Sequence, residues 1–341
     1  MGRRRVITLA LETSCDETSC AILRGSSQIL SNVIASQADL HARFGGVVPE
    51  AASRRHVERM VPVIRLALTN AGIGLPQVDL IGVTNRPGLA GALLTGVTAA
   101  KALAYALKRP IVAVHHLEGH IYSARLAEPE IEPPLLALVV SGGHTQLVLV
   151  ERPLEYRLLG STRDDAAGEA FDKGARLLGL PYPGGPALAQ LAESGEAAAA
   201  PMPRAWMGES LDFSFSGIKT ALRNALADGP LKRPEDYAAG YQAAIVDVLC
   251  VKTMRAAEIT GVPTVCVVGG VAANGRLRAA IGTAAKARGL RLVVPPPELC
   301  TDNAAMIAAA AHARYLLRGG DAMEFDTIPT ESLESAASVP A

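Results

Sequence analysis

Two histidines four residues apart, His116 and His120, follow a short apolar run from Ile111 to Val114. If the segment is helical, that spacing stacks both imidazoles on one face, where they can share a metal ion. The zinc-protease pattern His-Glu-x-x-His places its glutamate directly after the first histidine. Here Glu118 comes two residues after His116, about 200° round a helix, and points away from the pair. The pattern is that of a metal site other than a protease site. A helix start with surface histidines is the plainer account, and His115 alone fits it, but a four-spaced pair behind a buried strand favours the metal. A third ligand has to come from elsewhere. Asp302, in Cys300-Thr301-Asp302-Asn303 at the head of the last long helical stretch, is a candidate. Taken by itself it reads as a first-turn or capping carboxylate, and nothing in the sequence brings it to His116. Two histidines and one carboxylate would leave coordination positions open, as catalytic zinc and non-haem iron sites do.

Two glycine turns offer a second kind of chemistry. Ser141-Gly142-Gly143 follows the apolar run Leu135 to Val140, and Gly269-Gly270 follows Pro263 to Val268. Such turns free backbone N–H groups to face an anion, helped by a following helix N-terminus. Each alone is commonplace; together they suggest a bound nucleotide. Asn274, at a helix start, would hydrogen-bond a ribose or base, or simply cap its helix.

The elements that must hold these residues alternate between strand and helix, which reads as α/β. Arg5 to Leu11, the polar turn Glu12 to Thr18, and Ser19 to Leu23 make strand, turn, strand, with a third strand at Gln28 to Ala35. Leu135 to Val140, Ser141 to Thr145 and Gln146 to Val150 repeat the form, so the chain divides into two related halves. Acidic Glu128 to Glu132 and Pro133-Pro134 mark the boundary, giving domains 1–130 and 131–300. Asp79 to Thr84, Pro263 to Val268 and Leu290 to Val294 are further strands. Pro49 to Asn70 is an amphipathic helix with Val57, Met60, Val61, Ile64 and Leu68 on its apolar face and Pro62 as a possible kink. Other helices are expected over 90–107, 167–178, 216–226, 234–260 and 301–317, with loops at 179–186 and around the alanine run 197–200. Residues 319–341 are aperiodic and expected to be a flexible tail.

Composition narrows the classes. With 341 residues, 49% of them apolar, the chain can build two cores. Lys and Arg number 33 and so do Asp and Glu, so a nucleic acid would meet a local patch, with Arg54, Arg55, Lys219 and Arg223 as candidates. Five cysteines without Cys-x-x-Cys spacing fit reduced thiols in a cytoplasmic protein. Val6 to Leu11 is too short for a signal-peptide core. Gly88 to Leu107 is apolar, but its glycines, threonines and Lys101 favour a buried helix, and no membrane partner is expected.

Seven motifs in order give a resemblance. Glu12-Thr13-Ser14-Cys15-Asp16-Glu17-Thr18, Gly45-Gly46-Val47-Val48-Pro49-Glu50, His116-Leu117-Glu118-Gly119-His120, Val140-Ser141-Gly142-Gly143-His144-Thr145, Phe213-Ser214-Phe215-Ser216-Gly217-Ile218-Lys219-Thr220, Gly269-Gly270-Val271-Ala272-Ala273-Asn274 and Thr301-Asp302-Asn303-Ala304-Ala305-Met306 resemble the transferase subunit of the tRNA threonylcarbamoyladenosine machinery, in its bacterial form. That family was once labelled an O-sialoglycoprotein endopeptidase. The resemblance implies the actin, sugar-kinase and chaperone-ATPase fold, two duplicated α/β domains with a ligand cleft, the first completed by helix 301–318. It implies transfer of threonylcarbamoyl from threonylcarbamoyl-AMP to N6 of the adenosine beside the anticodon, in tRNAs reading codons that start with A. It implies His116, His120 and Asp302 as ligands of one divalent metal, iron foremost and zinc second. It implies Val139, Val140, Ser141, Gly142, Gly143, Asp172, Gly185 and Asn274 as the donor site and Asp16 as the acid/base. It further implies a paralogous non-catalytic subunit and a small ATPase as partners. A metallopeptidase and a non-catalytic ATP-binding protein of the same fold are the competing classes; Glu118 argues against the first and the histidine pair against the second. One departure stands out. Thr84-Asn85-Arg86-Pro87-Gly88 occupies the place of a Gly-Pro-Gly turn in the family, and Arg86 does not take a glycine's positive φ cheaply, so the turn there is expected to differ.

Overall fold

The computed structural model describes residues 5–227 and 233–334. In chain order its elements are β1 (Ile7–Glu12), β2 (Glu17–Arg24), β3 (Gln28–Ser36), α1 (Ala38–Ala42), α2 (Pro49–Ala71), β4 (Leu80–Arg86), α3 (Ala90–Leu107), β5 (Ile111–His115), α4 (His116–Ala127), β6 (Leu135–Val140), β7 (Thr145–Arg152), β8 (Glu155–Ser161), α5 (Ala167–Leu177), α6 (Gly184–Ala192), α7 (Ser216–Ala227), α8 (Pro234–Thr260), β9 (Thr264–Val268), α9 (Gly275–Ala287), β10 (Arg291–Val293), α10 (Pro297–Cys300) and α11 (Ala304–Arg318). They form two compact units. The second runs from Glu132 to Thr301, and the first takes the described residues on either side of it.

Both units carry the same sheet. In the first the order is β3-β2-β1-β4-β5; in the second, read the same way, it is β8-β7-β6-β9-β10. In each, an antiparallel three-strand meander supplies the first strand, and two parallel strands are added on its other side. The repeat of strand, polar turn, strand in the sequence is thus a repeat of topology, a duplicated α/β architecture.

In the first unit, period-two alternation along β1 sorts the layers. Leu9 and Leu11 join Ile22, Met60, Val63, Val97 and Ala100 in the core beneath α2 and α3. Ala10 faces the other way, beside Gly82 of β4 and α11. A Cβ on Gly82 would come within 2.7 Å of Ala311 Cβ, so only glycine admits the helix at that distance. Glu12 shares the parity of Ala10 and emerges on the α11 side.

Three expectations need correction. The buried face of α2 is Ala52, His56, Met60, Val63, Ile64 and Ala67, while Val57 and Val61 are 67% and 55% exposed. Apolar residues lie on both sides of this helix, and the sheet takes the side that carries Met60, Val63 and Ile64. The loop expected over 179–186 gives way at Gly184 to α6, and β8 had no counterpart in the reading of the sequence. The expected tail after Gly319 is, over residues 320–334, a strap on the first unit: Asp321 bridges to Ile111, and Leu333 is 4% exposed. Residues 335–341 of that tail lie outside the described residues. Helix α3 has the length and hydropathy of a membrane span, but it lies along the sheet and buries Ala92, Leu93, Val97, Ala100 and Ala104.

Candidate metal centre

The parallel strands of the first unit end side by side, and the centre is built on those ends. Strand β5 runs into α4 with no loop, so His116 is the first helical residue and His120 stands one turn further on. Their rings meet edge to face, with centroids 4.7 Å apart. Asp302 comes from the start of the stretch leading to α11. The cap of that helix is Asn303, whose Oδ1 accepts the Met306 N–H at 3.1 Å. This answers the simpler reading of Asp302: its neighbour does the capping. Asp302 Oδ1 lies 3.1 Å from His120 Nε2 and 3.5 Å from His116 Nε2. Gly119 lets α11 approach, since a Cβ there would meet Ile307 Cδ1 at 2.6 Å.

Glu12 is the residue that motif reading passed over. Fully buried at the end of β1, its Oε2 lies 3.1 Å from His116 Nδ1 and accepts from Thr84 Oγ1 at 2.6 Å, while Oε1 accepts the Ser14 N–H at 2.5 Å. Ser14 Oγ is also 3.1 Å from His116 Nδ1. A carboxylate at Nδ1 holds a proton on that nitrogen, so Nε2, which faces Asp302, is the atom that would exchange its proton for a metal, the carboxylate–histidine pairing typical behind metal ligands. A glutamate closing an otherwise apolar strand was the available signal, because such a buried charge needs a partner.

The electrostatics agree. Burial opposes an imidazolium at His116, but Asp302 and then Glu12 overcome it and hold its proton well above the usual histidine range. Burial likewise opposes the Asp302 carboxylate, and His116 pulls it well below the usual range. Glu12 is lowered against burial, again by His116. This pocket therefore stabilises a positive charge between two carboxylates.

The residues fit a metal ion. One ligand atom from each of His116, His120 and Asp302 lies within 4.8 Å of the others. Nδ1 of fully buried His120 lacks a hydrogen-bond partner among the described residues, and Nε2 meets only the Asp302 carboxylate it would share a metal with. Two imidazoles and one carboxylate suit iron(II) or zinc. Glu118 points away, as its spacing requires, and pairs with Arg314 of α11 at 2.6 Å in a buried ion pair.

Asp16 lies half-buried in the β1–β2 turn, two residues after Ser14, and its carbonyl accepts the Gln37 N–H at 3.1 Å. Beside it, burial and then the Asp16 charge push the Glu17 carboxyl up to about 10. The Asn85-Arg86 departure takes the form of a β-bulge: Thr84 pairs with Val114 and Arg86 with His115, leaving Asn85 unpaired in the ladder. Arg86 does not take a positive φ.

The other expected residues belong to the second unit. Val139 and Val140 are buried at the end of β6, and the Ser141 carbonyl accepts the Gly168 N–H at 3.1 Å, which brings the start of α5 to the turn. Gly142 and Gly143 face open space: a Cβ on either would meet nothing within 4 Å. Gly269 sits at φ +95°, where a Cβ would strike the Val140 carbonyl at 2.4 Å, so this glycine is required. Asp172 Oδ1 accepts the N–H groups of Gly184 and Gly185 at 2.9 and 3.1 Å, tying down the start of α6. Asn274 caps α9 through Leu277 N–H at 3.0 Å and donates to Gln242 Oε1 at 2.7 Å, the role its position at a helix start suggests. The basic candidates scatter: Arg54 and Arg55 pair with Glu50 and Glu58 on exposed α2, and Lys219 and Arg223 lie on α7.

With the geometry in hand, comparison decides the family. Residues 28–309 match the family model TsaD, tRNA N6-adenosine threonylcarbamoyltransferase. The chain belongs to that family. A member from Moorella thermoacetica is 53% identical over 94% of this chain and 95% of its own, and one from Bacillus subtilis is 53% identical over 90% of each. Both bear the name tRNA N6-adenosine threonylcarbamoyltransferase. Among solved structures, a 2-hydroxyisocaproyl-CoA dehydratase activator from Clostridium difficile aligns with a TM-score of 0.52 at 15% identity, covering 93% of this chain and 98% of its own. HypF in its phosphate- and nucleotide-bound form aligns with a TM-score of 0.61 at 12% identity over 93% of this chain and 47% of its own. These distant likenesses show the shared fold, duplicated α/β units of the actin-like class.

Proposed function

We propose that the chain transfers a threonylcarbamoyl group from threonylcarbamoyl-AMP to N6 of the adenosine beside the anticodon, in tRNAs reading codons that start with A, with release of AMP. The observation that carries this reading is the cluster of His116, His120 and Asp302 within 4.8 Å in a chain matched along most of its length by that enzyme family. Iron(II), with zinc second, would be held by those three residues and would polarise a donor oxygen through its open positions. Glu12 holds the proton on His116 Nδ1 and orients the ring. Asp16 accepts the proton that N6 loses as the new bond forms. The turns at Val139 to Gly143 and Gly269-Gly270 bind the adenylate, with the open side of Gly142 and Gly143 available to a phosphate. Asp172 shapes the loop that presents Gly185, and Asn274 fixes the start of α9. The tRNA must present its base unstacked.

We place the reaction in the cytoplasm, where its tRNA substrate is. The exposed Val57 and Val61 on α2 support docking of a paralogous non-catalytic subunit, with a small ATPase as a third component. Nucleoside mass spectrometry of tRNA from depleted cells, complemented with wild type or His116→Ala, tests the reading. Loss of threonylcarbamoyladenosine on depletion, restored by wild type and not by His116→Ala, is expected. Unchanged modification in depleted cells would overturn it.

A further inference from the structure

Residues 320–334 run from the start of β5 to the ends of β4 and β5, tied at several points. Asp321 pairs with Ile111, and its Oδ2 accepts the Ala113 N–H at 2.7 Å. The Lys101 ammonium contacts the Phe325 carbonyl and lies 4.5 Å from the Phe325 ring centroid. Asn85 Nδ2 donates to the Asp326 carbonyl at 3.0 Å, and the Asn85 carbonyl accepts the Ile328 N–H at 2.9 Å. The Pro329 carbonyl accepts the Gly88 N–H at 3.1 Å. Glu331 is held twice, with its carboxylate 2.7 Å from Arg86 Nε and its carbonyl 3.3 Å from His115 Nε2.

The receiving residues lead to the metal centre. Gly88 is pressed onto Ser14: a Cβ there would meet the Ser14 carbonyl at 2.6 Å, and Leu89 N–H donates to that carbonyl at 2.8 Å. Ser14 Oγ in turn touches His116 Nδ1. His115 caps α4, its Nδ1 accepting the Leu117 N–H at 3.2 Å. Acceptance at Nδ1 leaves the ring proton on Nε2, where it points at the Glu331 carbonyl, so one neutral tautomer serves both contacts. The departure from Gly-Pro-Gly finds its use here. The Asn85 bulge and the Arg86 side chain provide three of the strap's contacts, two of them through side chains that glycine lacks.

We propose that residues 320–334 are a positioning strap for the metal centre, and that His115 is the positioning residue through which the strap fixes the first turn of α4, and with it His116 and His120. This rests on the metal reading above. A strap that merely covers apolar surface would stabilise the unit and leave ligand geometry alone.

Cobalt(II) titration of the metal-free full-length protein distinguishes the two, with absorption spectra reporting coordination and thermal melting of the metal-free form reporting stability. His115→Asn keeps the cap, because its carbonyl oxygen stands where Nδ1 stood, and cannot reach Glu331. It is expected to melt like wild type without metal, to bind cobalt 10- to 100-fold more weakly, the usual cost of losing an outer-shell partner, and to show an altered spectrum. Arg86→Ala should weaken cobalt in the same direction, and the double variant should lose less than the product of the single losses, since both cut one link. Wild-type affinity and spectrum in His115→Asn would overturn the proposal, as would fully multiplicative losses. If His115→Asn fails to fold, Arg86→Ala decides by the same affinity and spectrum. Wild-type protein that binds no cobalt, or His116→Ala that binds it normally, would instead bring down the metal centre itself.

Discussion

At the scale of single residues, the centre is organised by a carboxylate that need not touch a metal. Glu12 is out of solvent and spends its oxygens on His116, Thr84 and the Ser14 backbone. Glu12→Gln keeps the shape and removes the charge. Metal affinity should fall about 10- to 100-fold, measured by metal analysis after dialysis against a graded chelator; retention equal to wild type would make Glu12 a packing residue only. Asp16 makes a different prediction. Asn at this position can hydrogen-bond but cannot accept a proton at neutral pH, so single-turnover transfer at saturating donor should slow by about 10²- to 10⁴-fold with bound metal unchanged. A turn-capping aspartate would tolerate asparagine with hardly any loss, and that outcome would leave the base to be sought elsewhere.

At the scale of elements, the candidate metal ligands come from α4 and from the stretch just before α11, and a buried ion pair clamps these two helices together. Glu118 of α4 and Arg314 of α11 are both almost wholly buried. Arg314→Ala removes a buried partner of the Glu118 charge and should cost about 3–5 kcal/mol, read by denaturant unfolding; a loss below about 1 kcal/mol would mean that water or another group takes over the pairing. How legible these elements were depended on where their causes lie. Helices α3 and α8 declare themselves by long apolar stretches closed by turn signals, and they begin and end where the sequence indicates. The four-residue spacing of His116 and His120 likewise carries its own geometry. Helix α6 opens with Gly184-Gly185-Pro186, a loop signature, and is held from outside by Asp172. Strand β8 is short, largely polar and at the sheet edge, so its alternation is faint. The strap has no period because backbone hydrogen bonds and one ion pair hold it. The role of Glu12 could be assigned only once the end of β1 was seen beside His116 of α4, and that of Asn303 only from its bond to the Met306 N–H.

At the scale of the molecule, ligand binding should act unevenly. A metal present at about 100 times its dissociation constant stabilises the folded state by about 2.7 kcal/mol. Hydrogen exchange should register the gain most strongly in β1, α4 and α11, which hold or adjoin the ligands; equal protection across both units, or none in α4, would contradict the assignment. The chain path adds a consequence in time. Of the first unit's elements, the sheet and α4 are made before Glu132, but α11, Asp302 and the strap follow the whole of the second unit. At translation speeds of about 5–20 residues per second, the nascent sheet waits on the order of ten seconds or more, with the α11 side of β1 and Gly82 uncovered. His116 and His120 leave the ribosome long before their carboxylate does. The centre is thus closed only after the whole second unit has been synthesised, and a chain terminated before Asp302 has two histidines and no site.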